Sequence, residues 1–260
     1  MSVPINTKTP SELDHLLARS RIYYLLACLF RPPDSITDSF CIEKEAQEWE
    51  TAVGLLPAPY PQDILMPPLK QLVQELKGAS KQARTQQYED CFGHTAHGPV
   101  PCYELEYGEE HSHRQPQQLG DIAAFYLAFG LKINTRSYER VDHLAVECEF
   151  MQYLLFKEAY ALANDTQDKA LICREASDRF LREHLSPWIP SFAFKLSKHA
   201  QGNFMRVLAD FILIFIGLDC QARGISSGPE NLPVRRIQEM EEAGCIGCVP
   251  NPQDPTSCAG

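Results

Sequence analysis

Apolar residues recur along most of this chain at three- and four-residue steps, the spacing of one helical face. The first such run spans 11–30. Ser11 can cap it, Glu12 lies in its first turn, and Leu13, Leu16, Leu17, Tyr24, Leu25 and Cys28 form its stripe. Pro32-Pro33 ends it. A weaker helical pattern covers 35–55, and Pro57, Pro59 and Pro61 mark an extended connection. Pro67-Pro68 reads as the opening of a helix to Lys77, with Leu69, Leu72, Val73 and Leu76 facing inward. Residues 80–92 continue helically. The segment 93–116 reads as a long irregular loop, broken by Gly98-Pro99, Pro101, Gly108 and Pro116. Helices are then expected over 117–130, 142–163, 167–184 and 200–222. The last contains Phe211-Ile-Leu-Ile-Phe-Ile-Gly-Leu218, bracketed by Asp210 and Asp219, and belongs at the centre of a core. No alternating strand pattern and no internal repeat is present. The pattern predicts an all-α protein, one helical bundle over 11–222. Residues 223–260 form an appendage: a linker at 225–229, a short charged helix at 234–243, and a Cys/Pro/Gly tail.

Composition narrows the partners. The chain has 260 residues, enough to bury a sizeable core, and 44% of them are apolar. The formal net charge of −10 argues against nucleic acid, whose phosphates call for a basic face. It suits a basic partner such as a Lys/Arg-bearing peptide. The longest apolar run is far short of a membrane span, and the N-terminus lacks the basic start and apolar core of a signal peptide. A cytoplasmic location follows as the expectation, with most of the ten scattered cysteines reduced and serving as small core residues.

The stretch from Glu139 to Phe156 carries the densest chemistry. Asp142 is expected to cap the helix that follows it, and His143, Glu147 and Met151 then share one helical face. Either this is capping and padding, or an imidazole and an acid meet at a binding site. Tyr103-Glu-Leu-Glu-Tyr107, with Glu109 and Glu110, interleaves aromatics with acids, as would suit a peptide both basic and apolar. A solvated acidic loop is the alternative. Cys91, His94, His97, Cys102, His111 and His113 give only an irregular match to zinc-ligand spacing. The sharper metal signal is in the tail, where Cys245-x2-Cys248 and Cys258 supply three thiolates toward a Zn or Fe–S site. A redox-active pair or an unligated tail are the other readings. There is no nucleophile elbow, Walker loop or dinucleotide fingerprint, and nothing in the residues argues for an enzyme.

Four blocks, in order, give the chain a family resemblance. They are Arg21-Ile-Tyr-Tyr-Leu-Leu-Ala-Cys-Leu-Phe-Arg-Pro-Pro33; Tyr88-Glu-Asp-Cys-Phe-Gly93 with Pro101-Cys-Tyr-Glu-Leu-Glu-Tyr107; Asp121-Ile-Ala-Ala-Phe-Tyr-Leu-Ala-Phe-Gly-Leu131 leading into Asp142-His143-Leu144 and Glu147-Cys-Glu-Phe-Met151; and Phe180-Leu-Arg-Glu-His-Leu-Ser-Pro-Trp188. The chain resembles the TorD/DmsD/NarJ group of cytoplasmic chaperones for molybdenum-containing oxidoreductases. Val141 stands where that family usually has proline, Leu105 replaces its small hydroxyl residue, and the Cys-bearing tail is an addition.

The resemblance implies a TorD-like helical fold, no catalysis and no required cofactor. It further implies binding of the N-terminal, often twin-arginine, leader of a molybdoenzyme catalytic subunit, which is held until its cofactor is inserted. A monomer or a homodimer fits equally. Tyr103, Glu104, Tyr107, Asp142, His143 and Glu147 are expected to border the peptide site, with carboxylates pairing leader arginines and rings covering its apolar part. The runner-up function is a metal- or Fe–S-carrying assembly factor acting through Cys245, Cys248 and Cys258.

Overall fold

A computed structural model describes residues 11–33, 42–93, 98–108, 115–132, 139–164 and 166–235. Among them the secondary structure is helical, with two isolated backbone bridges and no strand. In chain order the helices are α1 (Glu12–Leu29), α2 (Ile42–Leu55), α3 (Gln62–Gly78), α4 (Lys81–Phe92), α5 (Gln115–Ala128), α6 (Leu144–Ala163), α7 (Gln167–Phe180), α8 (Ile189–His199) and α9 (Asn203–Ala222). The all-α expectation holds.

Local sequence explains most boundaries. Ser11 and Asp14 close a reciprocal capping box on α1, and the Ser80 hydroxyl caps α4 by accepting from the Ala83 amide. Three expectations change. First, α3 opens at Gln62 and carries Pro67 and Pro68 inside it. Its buried stripe already begins at Leu65, while Pro67 and the residues one turn before it are exposed, so water can take the carbonyls these prolines leave unpaired. Second, α8 was not foreseen: Pro187 and Pro190 suggest a stop, yet Pro190 occupies the first turn of a new helix, where no amide donor is needed. Third, α1 is buried well beyond a single stripe, with Ile22, Tyr23, Leu25 and Leu26 fully enclosed while Leu17 is exposed.

The core forms where α6 lies against α1 and α7, and α9 lies against α3 and α8. Between α1 and α9 this apolar interior holds one polar knot. The fully buried Asp219 carboxylate accepts from Arg19 Nε at 2.9 Å, Arg19 Nη2 at 3.1 Å and the Tyr23 hydroxyl at 2.6 Å, and also from the Tyr60 hydroxyl. Cys91, Cys102, Cys148, Cys173 and Cys220 are free thiols in this interior, and burial raises their pKa values, to about 11 for Cys91 and Cys220.

Two features shape the region beside α7. The helix widens after Phe180 into one π turn, Leu181–Leu185, in which the Ser186 amide donates to the Leu181 carbonyl at 2.8 Å. The segment after α9 also folds back as a strap. Gly228 N donates to Ser186 O, the Ser191 hydroxyl donates to Pro229 O, and Leu232 N donates to the Ser191 oxygen. Gly228 passes so close to Pro187 that a β-carbon would sit 2.1 Å from its carbonyl oxygen. The strap ends extended: Val234 bridges Tyr107, and Arg235 N donates to Glu106 O. The first two residues expected in the 234–243 helix are therefore not helical, and the remainder lies outside the described residues. Among the described residues no helix is long and apolar enough to cross a membrane.

Candidate functional site

Residues 98–108, between α4 and α5, turn inward instead of lying in solvent. Val100, Cys102, Leu105 and Tyr107 are buried, and Glu104–Glu106 forms a single 3-10 turn. Its backbone is fastened to the start of α6: Leu144 N donates to Cys102 O and Glu104 N donates to Asp142 O, both at 2.9 Å.

Asp142 does not cap α6. His143 does, with its Nδ1 accepting from the Ala145 amide at 3.1 Å. The Asp142 side chain turns instead toward the loop. It accepts from Leu105 N at 3.2 Å and from Arg140 through both Nε (3.0 Å) and Nη2 (2.7 Å). Arg140 also reaches Glu106 at 2.9 Å and lies over the Tyr103 ring. A carboxylate offered a guanidinium and a loop amide has stronger donors there than at a helix terminus.

Because Nδ1 of His143 is an acceptor, its proton sits on Nε2, which faces Glu139 Oε2 at 3.5 Å. Burial first, then the positive charges of Arg31 and Arg140, lower its pKa from 6.5 to about 3. A second proton would also face the Ala145 N–H and break the cap. The neutral form is thus favoured by folding, so its stabilisation is present above pH 6.5 and is lost as pH falls toward 3. We expect unfolding free energy to fall by about 2 kcal/mol between pH 7.5 and 5 relative to His143→Asn, which keeps a capping oxygen but cannot titrate. Denaturant melts of both chains across that range check this, and parallel curves would show that His143 does not hold the neutral state.

Behind the loop, Glu147 is fully buried and accepts from Trp188 Nε1 at 3.3 Å, while its other oxygen has no donor. Burial, then the negative charges of Glu104 and Asp142, push its pKa well above the usual carboxylate range, and it lies within hydrogen-bonding reach of Glu104. Glu104 takes His184 Nδ1 at 3.1 Å on its other side. Tyr107 stacks at a tilt on Trp188, and its hydroxyl donates to Pro101 O.

Glu104 emerges from this frame into a groove of about 690 Å3 between α5 and α7. The floor is apolar: Ile122, Phe125, Phe129, Ile172 and Ala176. The rim carries Glu104, Asp121, Glu175 and Glu183 against one arginine, Arg179. Arg179 already donates to Glu183 and lies 5.0 Å over the Phe125 ring, so the groove holds a guanidinium between a carboxylate and an aromatic face.

The six residues expected to border a site are brought together, in two layers. Tyr103 and Glu104 reach solvent; Tyr107, Asp142, His143 and Glu147 are buried and hold them in place. Sequence reading missed the α5 and α7 groove residues. Phe125 and His184 lie inside the blocks that carry the resemblance, and the exposed Leu171-Ile172 pair in an otherwise polar helix was the remaining signal. His94, His97, His111, His113, Cys245, Cys248 and Cys258 lie outside the described residues. Among those described, no group of His, Cys, Asp and Glu has metal-holding geometry.

Residues 62–193, half of the chain, match the family model described as nitrate reductase delta subunit. The chain is 27% identical over 212 residues to a perchlorate reductase assembly chaperone protein of Dechloromonas aromatica, covering 79% of this chain and 89% of that one. It is 35% identical over 78 residues to a selenate reductase assembly chaperone protein of Thauera selenatis, 30% of this chain and 39% of that relative. It is 27% identical over 119 residues to chaperone protein TorD of Shewanella loihica, 44% and 50% of the two chains. With half its length on the family model and the loop, the Asp-His pair and α7 all inside that span, the chain belongs to the nitrate reductase delta subunit family, the TorD/NarJ group its sequence blocks resemble.

Proposed function

We propose that this chain is a non-catalytic cytoplasmic chaperone for the catalytic subunit of a molybdenum-containing reductase. It binds the subunit's N-terminal leader and holds the apo-enzyme until cofactor insertion. The observation that carries the reading is the groove between α5 and α7, an apolar floor under a rim with four carboxylates and one arginine. Such a surface complements a segment that is apolar along one face and basic along another. The net charge of −10 favours the encounter, and the assembly-chaperone names of three relatives agree with the role. The reading needs no cofactor in the chaperone itself.

Tagged chain recovered from its native cell should bring down one large molybdoenzyme subunit in unprocessed form, identified by mass spectrometry. Recovery of only the processed subunit, or of iron–sulfur assembly proteins in its place, would remove the leader from the account.

A further inference from the structure

Four carboxylates line the groove, but they are not equivalent. Glu183 is already taken by Arg179. Asp121 and Glu175 are exposed on helix surfaces, where a pair with a client cation is screened and contributes little. Glu104 differs in three respects. It is about six-sevenths shielded, its side chain retaining 15% exposure. Its backbone is fixed at both ends of the 3-10 turn, through Glu104 N to Asp142 O and Tyr107 N to Glu104 O. Its carboxylate is held between the His184 ring nitrogen and the buried Glu147 carboxyl.

Glu147 explains why this carboxylate would seek a partner. Its donor-less oxygen is fully enclosed. Two acidic side chains share this place, and the side of Glu104 left open faces the groove. Phe125 lines the same groove, edge-on to the His184 ring at 5.3 Å, and its face already carries the Arg179 guanidinium. An incoming guanidinium thus meets a shielded carboxylate on fixed backbone, which two parallel N–H groups can bond together, the geometry in which arginine outcompetes lysine.

We propose that Glu104 is the specificity residue of the groove, selecting an arginine on an otherwise apolar client helix, with Glu147 and His184 as its positioning residues. The inference rests on the leader-binding reading and names the side chain that reads the leader. A lysine reaches the same place as a strongly hydrated point charge and cannot bond a carboxylate with two parallel N–H groups.

The test is titration calorimetry with a synthetic 20-residue peptide carrying two adjacent arginines ahead of a leucine-rich stretch. Two further versions carry both arginines replaced by citrulline or by lysine. With the unaltered chain, citrulline should weaken binding on the order of tenfold, as expected for losing a shielded ion pair, and lysine should weaken it by a smaller factor. In Glu104→Gln the arginine and citrulline peptides should bind equally. Asp121→Asn, on the same rim, should retain the preference. Glu147→Gln should keep binding but lose the arginine-over-lysine preference, an effect that mere loss of stability would not produce. If the unaltered chain binds none of the three peptides, the leader-binding reading itself fails. If it binds all three alike, or if Glu104→Gln keeps the full preference, the leader reading stands and Glu104 is not the selecting residue.

Discussion

Asp219→Ala is expected to destabilise the fold by about 3–5 kcal/mol, the cost of removing one partner of a buried charge pair. The carboxylate is fully enclosed and satisfies Arg19, Tyr23 and Tyr60 at once. Without it, Arg19 keeps a buried charge with no counter-ion in the knot, and two tyrosine hydroxyls lose their acceptor. Arg223 would feel the change too, because its pKa is already lowered to about 10 by burial and by the neighbouring Arg19 charge. For a chain of this size the loss corresponds to a fall in melting temperature of roughly 6–20 °C. Thermal melts check it, with Asp219→Asn as a milder variant that keeps an acceptor. A fall of less than about 1 kcal/mol for the alanine variant would mean that the knot can relax into water, and that the burial on which the argument rests is not maintained.

The second large effect is expected at Asp142. Its side chain is fully buried, but its main partner Arg140 is about one-third exposed, so the ion-pair part is discounted for solvent. Adding the Leu105 amide, left without its acceptor, Asp142→Ala should cost about 2–3 kcal/mol. The local consequence is the more telling one. Asp142 ties the 3-10 turn through both its side chain and its carbonyl, so residues 103–107 should exchange amide hydrogens faster well below global unfolding. On the leader-binding reading, affinity for a leader should weaken although Asp142 itself is fully buried. Hydrogen exchange read over 101–108 checks this. Unchanged protection there would show that the backbone bonds alone hold the turn. A double-mutant cycle with Arg140→Ala separates the ion pair from the amide bond.

The helical architecture was legible because α3, α6 and α9 bury residues at true helical steps, such as Leu65, Leu69, Leu72 and Leu76 in α3. What failed was punctuation by proline. The same residue type lies within α3 at 67–68 and opens α8 at 190, and only burial of the surrounding turns distinguishes the two uses. At the site, the pairing of an Asp-His with an acid–aromatic loop could be read from residue types. Their inward orientation could not, because it depends on Arg140 drawing Asp142 away from the helix terminus. The groove was harder still. Its walls come from α5 and α7, about fifty residues apart, and neither helix shows on its own that their apolar faces leave a trough between them.

The wide turn at Leu181–Leu185 has a further meaning as an insertion. A π turn holds one residue more than the α turn it replaces, so deleting a single residue there would leave a regular helix with its hydrogen bonds intact. Side chains beyond the turn would then keep their faces, because one wide turn is exchanged for one ordinary turn, and only those inside it would move. His184, inside the turn, would shift against Glu104, while Trp188, beyond it, would stay beside Glu147. The extra residue therefore serves the turn itself: a shortened version would stay helical and keep its register with α8, and would lose only the placement of His184 against the loop.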